Sequence, residues 1–204
     1  MVDEIVLGSA FKYTRPELRN MGPLEHIKQV AVAGRIFFPL PKTLWEGDNT
    51  ECRPSQQPGT EEQRRAYVAR QAEARSPAAI AAVARKLQSV EELQANWDRT
   101  VNSAVVLSLC KRADSKFMWD RYGARGTGVC IEFDMERAHS DVDWVPFDVE
   151  YVDQIPAMNI LDYQTPDTAP AFNKHSFCLK RREFSEEEEV RVVMSLDRDQ
   201  ALEA

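Results

Sequence analysis

No apolar run in this chain of 204 residues approaches the roughly 20 that a membrane-crossing helix needs, so no membrane partner is expected. Cysteine and histidine are sparse. Cys52, Cys110, Cys130 and Cys178 are widely spaced with no CxxC pair, and His26, His139 and His175 are equally scattered. The usual zinc-ligand spacings are therefore missing, and no metal ligand is assigned. Lysine and arginine form no long block and the net charge is -7. That disfavours extended, non-specific nucleic-acid binding and leaves room for a local basic pocket that takes one nucleotide. The opening Met1-Val2-Asp3-Glu4 is acidic and lacks the charged and apolar regions of a signal peptide, so the chain is expected to be cytoplasmic.

What is present suits one core. Hydrophobic residues make up 43% and charged residues 29%, enough for a single domain over residues 1–204 with one helical insertion. Residues 4–54 alternate short apolar runs with turns. They hold a strand around Phe11-Lys12-Tyr13, a short helix over 23–33 and a strand over 35–39 closed by Pro39. Residues 60–100 read as helices. Thr60-Glu61-Glu62-Gln63 and Ser89-Val90-Glu91-Glu92 are capping boxes, Ser76-Pro77 opens a helix between them, and Leu93 and Trp97 share one face. Strands are expected at 104–110, 128–134 and 145–152, with a turn at 138–141. A helix near 171–182 and a last strand at 190–194 complete the chain. This order predicts an α+β fold with a twisted, mainly antiparallel sheet and a helical insertion at about 60–100.

Two places carry residue types suited to chemistry. The first is the end of the chain, where alternation would place Glu187, Glu189 and Arg191 on one face and Val190 and Val192 on the other. Such a row is either one wall of a polar cleft or the solvated side of an ordinary strand. The second is the short helix over 115–122. Its Trp119 and Tyr122 either plug the core or form a stacking platform. The glycine-rich stretch 123–128 that follows carries Arg125, but it is neither a Walker nor a Rossmann pattern, because it leads into a strand.

These segments resemble a bacterial family, the domain of unknown function numbered 2971. The resemblance rests on Met118-Trp119, Tyr122, and the run Gly128-Val129-Cys130-Ile131-Glu132-Phe133-Asp134. It rests also on Lys180, Phe184, Glu187, Glu189 and Arg191 at the spacing of the family's closing motif. Phe11-Lys12-Tyr13, Phe37-Phe38-Pro39 and the segment from Asp48 to Glu51 extend it to residues 10–194. The chain departs from the pattern at Thr14, Gly47, Gly126 and Phe184.

The family name supplies no activity. The order of residue types is also similar to that of ADP-ribosyltransferases, which implies a transferase using NAD. Glu189 or Glu187 would steady the cationic sugar of the transition state, and Tyr122 or Trp119 would stack on the nicotinamide. Lys12, Tyr13, Arg15, Arg125 and Arg191 would complete the cofactor site. A second reading is a non-catalytic domain of a defence or stress module that binds a nucleotide or a protein, with Glu187 and Arg191 as structural ions. A third is a metal-dependent phosphodiesterase using Asp48, Glu51 and Glu187 or Glu189.

Overall fold

The computed structural model describes residues 8–15, 25–31, 33, 35–72, 76–142 and 145–196. Its centre is an antiparallel sheet of five strands: β1 (Ser9–Thr14), β2 (Ala104–Cys110), β3 (Val129–Asp134), β4 (Pro146–Asp148) and β7 (Glu189–Ser195). They lie in the order β3-β1-β2-β7-β4. Two further strands, β5 (Glu150–Val152) and β6 (Leu179–Arg181), pair in parallel beside it. The helices are α1 (Glu25–Ala31), α2 (Pro41–Leu44), α3 (Glu61–Ala72), α4 (Pro77–Lys86), α5 (Val90–Thr100), α6 (Lys116–Arg121), α7 (Met135–Val142) and α8 (Ala169–Phe177). The chain is therefore α+β, as its pattern predicts. Among the described residues no helix is long and apolar enough to cross a membrane.

The central strand β2 is apolar along its length because the sheet is covered on both faces. Leu107 lies opposite Val192 and Leu109 opposite Val190, and directly opposed residues share a face. Ala10, Met135, Ile36 and Phe38 close that side. The other side carries Val106 and Val193, covered by Trp97, Val101, Met158 and Phe177 from α5, α8 and the loops between. Further along the same side Ser108 faces Arg191 and Cys110 faces Glu189. One sheet face thus passes from apolar to charged within a few residues, and this places the site.

Of the two capping boxes predicted in the insertion, that at Thr60 forms both bonds and that at Ser89 one, since the Ser89 N–H donates to the Lys86 carbonyl (3.3 Å). Gln63 N–H donates to Thr60 Oγ1 (3.2 Å), and Thr60 N–H donates back to Gln63 Oε1 (2.8 Å). Ser89 Oγ accepts from Glu92 N–H (3.2 Å). Trp97 of α5 turns inward and donates from Nε1 to the Cys52 carbonyl (3.2 Å). Gly128 lets β3 lie close to β1: a Cβ there would meet the Thr14 carbonyl oxygen at 2.3 Å.

Other expectations need correction. Residues 35–39 join no strand ladder, although the Pro39 carbonyl accepts a bond from Val106 N–H (3.0 Å). Residues 138–141 belong to α7, whose first turn is capped by Asp134 Oδ1 accepting from Arg137 N–H (2.9 Å). The expected strand over 145–152 divides into β4 and β5, in different sheets. The helix expected near 171–182 ends at Phe177, and Lys180 and Arg181 lie in β6. Residues 23–24, 32, 34 and 73–75, at the ends of two expected helices, lie outside the described residues.

Candidate functional site

β7 (Glu189–Ser195) covers the strand expected at 190–194, but Glu187, which alternation aligns with it, lies outside the strand. Glu187 ends a 3-10 turn (Arg182–Glu187), and Glu188 adopts a left-handed conformation (φ 42°) before the strand starts at Glu189. The three charged residues nevertheless meet. Arg191 donates from Nε to Glu189 Oε1 (2.6 Å), from Nη2 to Glu189 Oε2 (3.1 Å) and also to Glu51 Oε1. Its Nη1 donates to the Phe177 carbonyl (2.5 Å) and reaches Cys52 Sγ at 3.4 Å. Lys180 Nζ donates to Glu189 Oε2 (3.0 Å) and to Glu187, and lies 3.4 Å from Glu51 Oε1. Tyr122 donates its hydroxyl proton to Glu187 Oε1 (2.7 Å). Tyr151 holds the strand from the backbone side, its hydroxyl accepting from Glu189 N–H (2.8 Å).

This is a closed ionic cluster. Arg191 is 0% exposed, Glu187 2%, Glu189 and Lys180 5%, and Glu51 7%, values at which an unpaired charge would be prohibitively costly. Three carboxylates face two cations, and the remaining negative charge is met from the edges. Arg121 Nε lies 3.9 Å from Glu187 Oε1, and Lys12 feels the Glu189 carboxylate.

Electrostatics follow the geometry. Burial pushes the Glu189 carboxyl up, but Arg191, Lys180 and the bonds from Arg191 and Ser108 outweigh it, holding it well below the usual range. Burial depresses Lys180, and Glu189 and Glu51 more than restore it, so its ammonium is held charged. Arg191 is likewise held charged by Glu189 against the cost of burial. Lys12 shifts downward, chiefly through burial, with Glu189 opposing. Tyr122 is pushed up to about 12 by burial and by the Glu187 charge. Cys52 is also pushed up to about 12 by burial, so its thiol stays protonated beside Arg191.

Of the nine residues expected at the site, Tyr122, Glu187, Glu189 and Arg191 come together. Lys12 lies near them, its ammonium donating to the Ser108 carbonyl (2.9 Å). The others lie apart from the cluster. Tyr13 spans α6 and the loop before it, donating to the Arg112 carbonyl (2.7 Å) and accepting from Ser115 N–H (3.1 Å). Trp119 packs edge-on against Tyr13 (5.1 Å between ring centroids) and donates to the Ala113 carbonyl (3.0 Å). Arg15 is exposed and bonds the Arg121 carbonyl (3.2 Å). Arg125 is exposed, on a left-handed backbone (φ 55°).

An open cleft lies beside the cluster. It has a volume of about 450 Å³ and is lined by Asn49, Thr50, Arg53, Gln94, Gln154 and Arg181 among others. The same two segments serve both places. Glu51 and Lys180 bond into the cluster, while Thr50, Arg53 and Arg181 line the cleft. Asp48 pins the wall between them: Oδ1 accepts from Thr50 N–H (2.9 Å) and Thr50 Oγ1 (2.7 Å), and Oδ2 from Arg181 Nε (3.3 Å). Arg53 is held by Asp98 (Nε to Oδ1, 2.9 Å) and lies 4.7 Å from the centroid of the Trp45 ring. Among the described residues no group of three or more His, Cys, Asp or Glu is placed to hold a metal ion.

Arg53 and Arg181 have no motif in the sequence that marks them. Glu51, which the sequence marks through the family resemblance and as a metal-ligand candidate, serves here as the third carboxylate of an ionic cluster.

The fold and site define an α+β chain with a neutralised ionic cluster walled off from a polar cleft. Residues 118–192 match the family described as a protein of unknown function (DUF2971). The match takes in the Trp119–Tyr122 turn and the closing motif from Lys180 to Arg191, and it is shorter than the 10–194 expected. No curated protein and no solved structure matches the chain.

Proposed function

We propose that this protein is a binding module that takes a nucleotide or another small anion in the polar cleft. The buried ionic cluster serves as its structural brace. The observation that supports this reading is the division of labour along one wall. Neighbouring residues alternate between saturated, buried charges (Glu51, Lys180) and open polar groups (Thr50, Arg53, Arg181). Each arginine carries five N–H donors, and the carboxylates beside them occupy only some. The amides of Asn49 and Gln154 suit a phosphorylated sugar, while the Thr50 hydroxyl and the Gln94 amide are bonded to Asp48 and to Asp98, and the Asp153 carboxylate on the lining is engaged by Arg182.

The NAD-transferase reading needs a carboxylate free to meet a ribose. Glu189 has both oxygens bonded to Arg191 and Lys180, and Glu187 has both bonded to Tyr122 and Lys180. The phosphodiesterase reading needs open carboxylates as well, and Glu51, Glu187 and Glu189 are spent on cations.

Calorimetric titration with ADP-ribose and with NAD, alongside chromatography for free nicotinamide, tests the proposal. Saturable binding is expected, at least tenfold weaker in Arg181→Ala and weakened in the surface variant Gln154→Ala, with no nicotinamide released. Nicotinamide release that disappears in Glu189→Gln would reinstate the transferase. Absence of binding at millimolar concentration would remove the nucleotide from the account.

A further inference from the structure

We infer that a second pocket, between α5 and α8, binds a molecule with one aromatic ring and an amide or hydroxyl substituent. The cavity measures about 160 Å³ and is walled by Leu93, Trp97, Ile160, Phe172 and Phe177. Three of these walls are rings fixed at mutual inclinations. Trp97 and Phe172 lie 6.0 Å apart at 68°, Trp97 and Phe177 6.1 Å apart at 37°, and Phe172 and Phe177 6.4 Å apart at 84°. Trp97 and Phe177 are buried and the half-buried Phe172 is the most open of the three, and inclined packing is the arrangement in which aromatic pairs attract best. The Trp97 indole N–H is already committed to the Cys52 carbonyl, so it is not free for a guest.

Size sets the guest. The pocket opens to solvent, and its interior space of about 160 Å³ is close to that of a cavity that holds one benzene, so it seats a single ring. Polarity sets the substituent. Asn96 and Asn173 also line the pocket, and no side-chain hydrogen bond among the described residues engages either amide. These two amides, with the Ser103 and Ser195 hydroxyls also on the lining, are the placed polar groups by which such pockets orient a ligand. None of the residues around this pocket lines the polar cleft, so the inference stands apart from the proposed nucleotide site.

Benzamide is a suitable probe, with toluene as its apolar counterpart, on the full chain. Ligand-observed NMR should show saturable benzamide binding with Kd of about a millimolar, the range open to a ligand of this size, and weaker binding of toluene. Leu93→Trp, which fills the slot, should abolish benzamide binding, and Asn173→Trp at the lining should do the same if the first variant folds poorly. Circular dichroism identifies which variants are folded. Arg181→Ala in the polar cleft should leave benzamide binding unchanged. Absence of saturable binding at about 10 mM, or equal binding by a folded filling variant, would overturn the inference; toluene binding as tight as benzamide would refute the role of the amides.

Discussion

A guanidinium with no exposure is costly to bury, and Arg191 is held there by full use of its donors. Glu189, Glu51, the Phe177 carbonyl and Cys52 Sγ all accept from it. Removing one partner of such a set leaves a charge unpaired, which costs far more than the intact set contributes. Tyr122 closes the cluster on the side of α6, and its hydroxyl must stay protonated to donate to Glu187. Its pKa in the fold, about 12, lies above the ordinary value of 10.0. A raised acid contributes stability that is complete below the unfolded pKa and is lost as pH rises through the folded one. Stability should therefore fall between pH 10 and about 12. In Tyr122→Phe that fall should be shallower by one proton's worth of slope, measured by urea unfolding across the interval. An unchanged slope would show that the hydroxyl is not held by Glu187.

At the scale of elements, what was legible depended on how local the cause was. The capping boxes at Thr60 and Ser89 act within three residues, and the first forms both predicted bonds and the second one of them. The apolar run of β2 was equally plain. β6 was not, because three residues after a helix are too few for a period to show. α7 was mistaken for a turn because its polar composition outweighed the one local signal, Asp134 at the capping position. The alternation that aligned Glu187 with Glu189 was right about convergence and wrong about its cause. Glu188 takes a left-handed backbone, which a non-glycine residue seldom announces in sequence. Gly128 shows an element-scale constraint that can be tested. Gly128→Ala would press a methyl group against the Thr14 and Gly123 carbonyls and force β1 and β3 apart. A loss of about 1–3 kcal/mol is expected from thermal or urea unfolding. A loss below about 0.5 kcal/mol, the range of neutral surface changes, would mean that the strands do not approach as closely as described.

For the whole molecule, the sheet's two faces divide the work. One is sealed by apolar packing, and the other grades from an apolar layer into the cluster and on to the cleft. Glu51 and Arg191 stand far apart in sequence, so no local pattern could join them. The pattern groups Glu187, Glu189 and Arg191 but does not show that Lys180 of β6 pairs with the two carboxylates, or that a loop from the first quarter of the chain brings Glu51 to Arg191 and Lys180. On the proposed reading, this pairing makes the cluster a brace. Residues poised for catalysis are commonly held at a cost in stability, and replacing them tends to stabilise a fold. A bracing residue behaves in the opposite way. Urea unfolding of Glu189→Gln at pH 7 is the most direct test, since the stability supplied by its depressed carboxyl is present above the ordinary value of 4.5 and lost only as acid is added. A loss of about 3–5 kcal/mol is predicted, the usual consequence of breaking a buried pair. Unchanged or increased stability would contradict the account and return Glu189 to the place of a catalytic carboxylate.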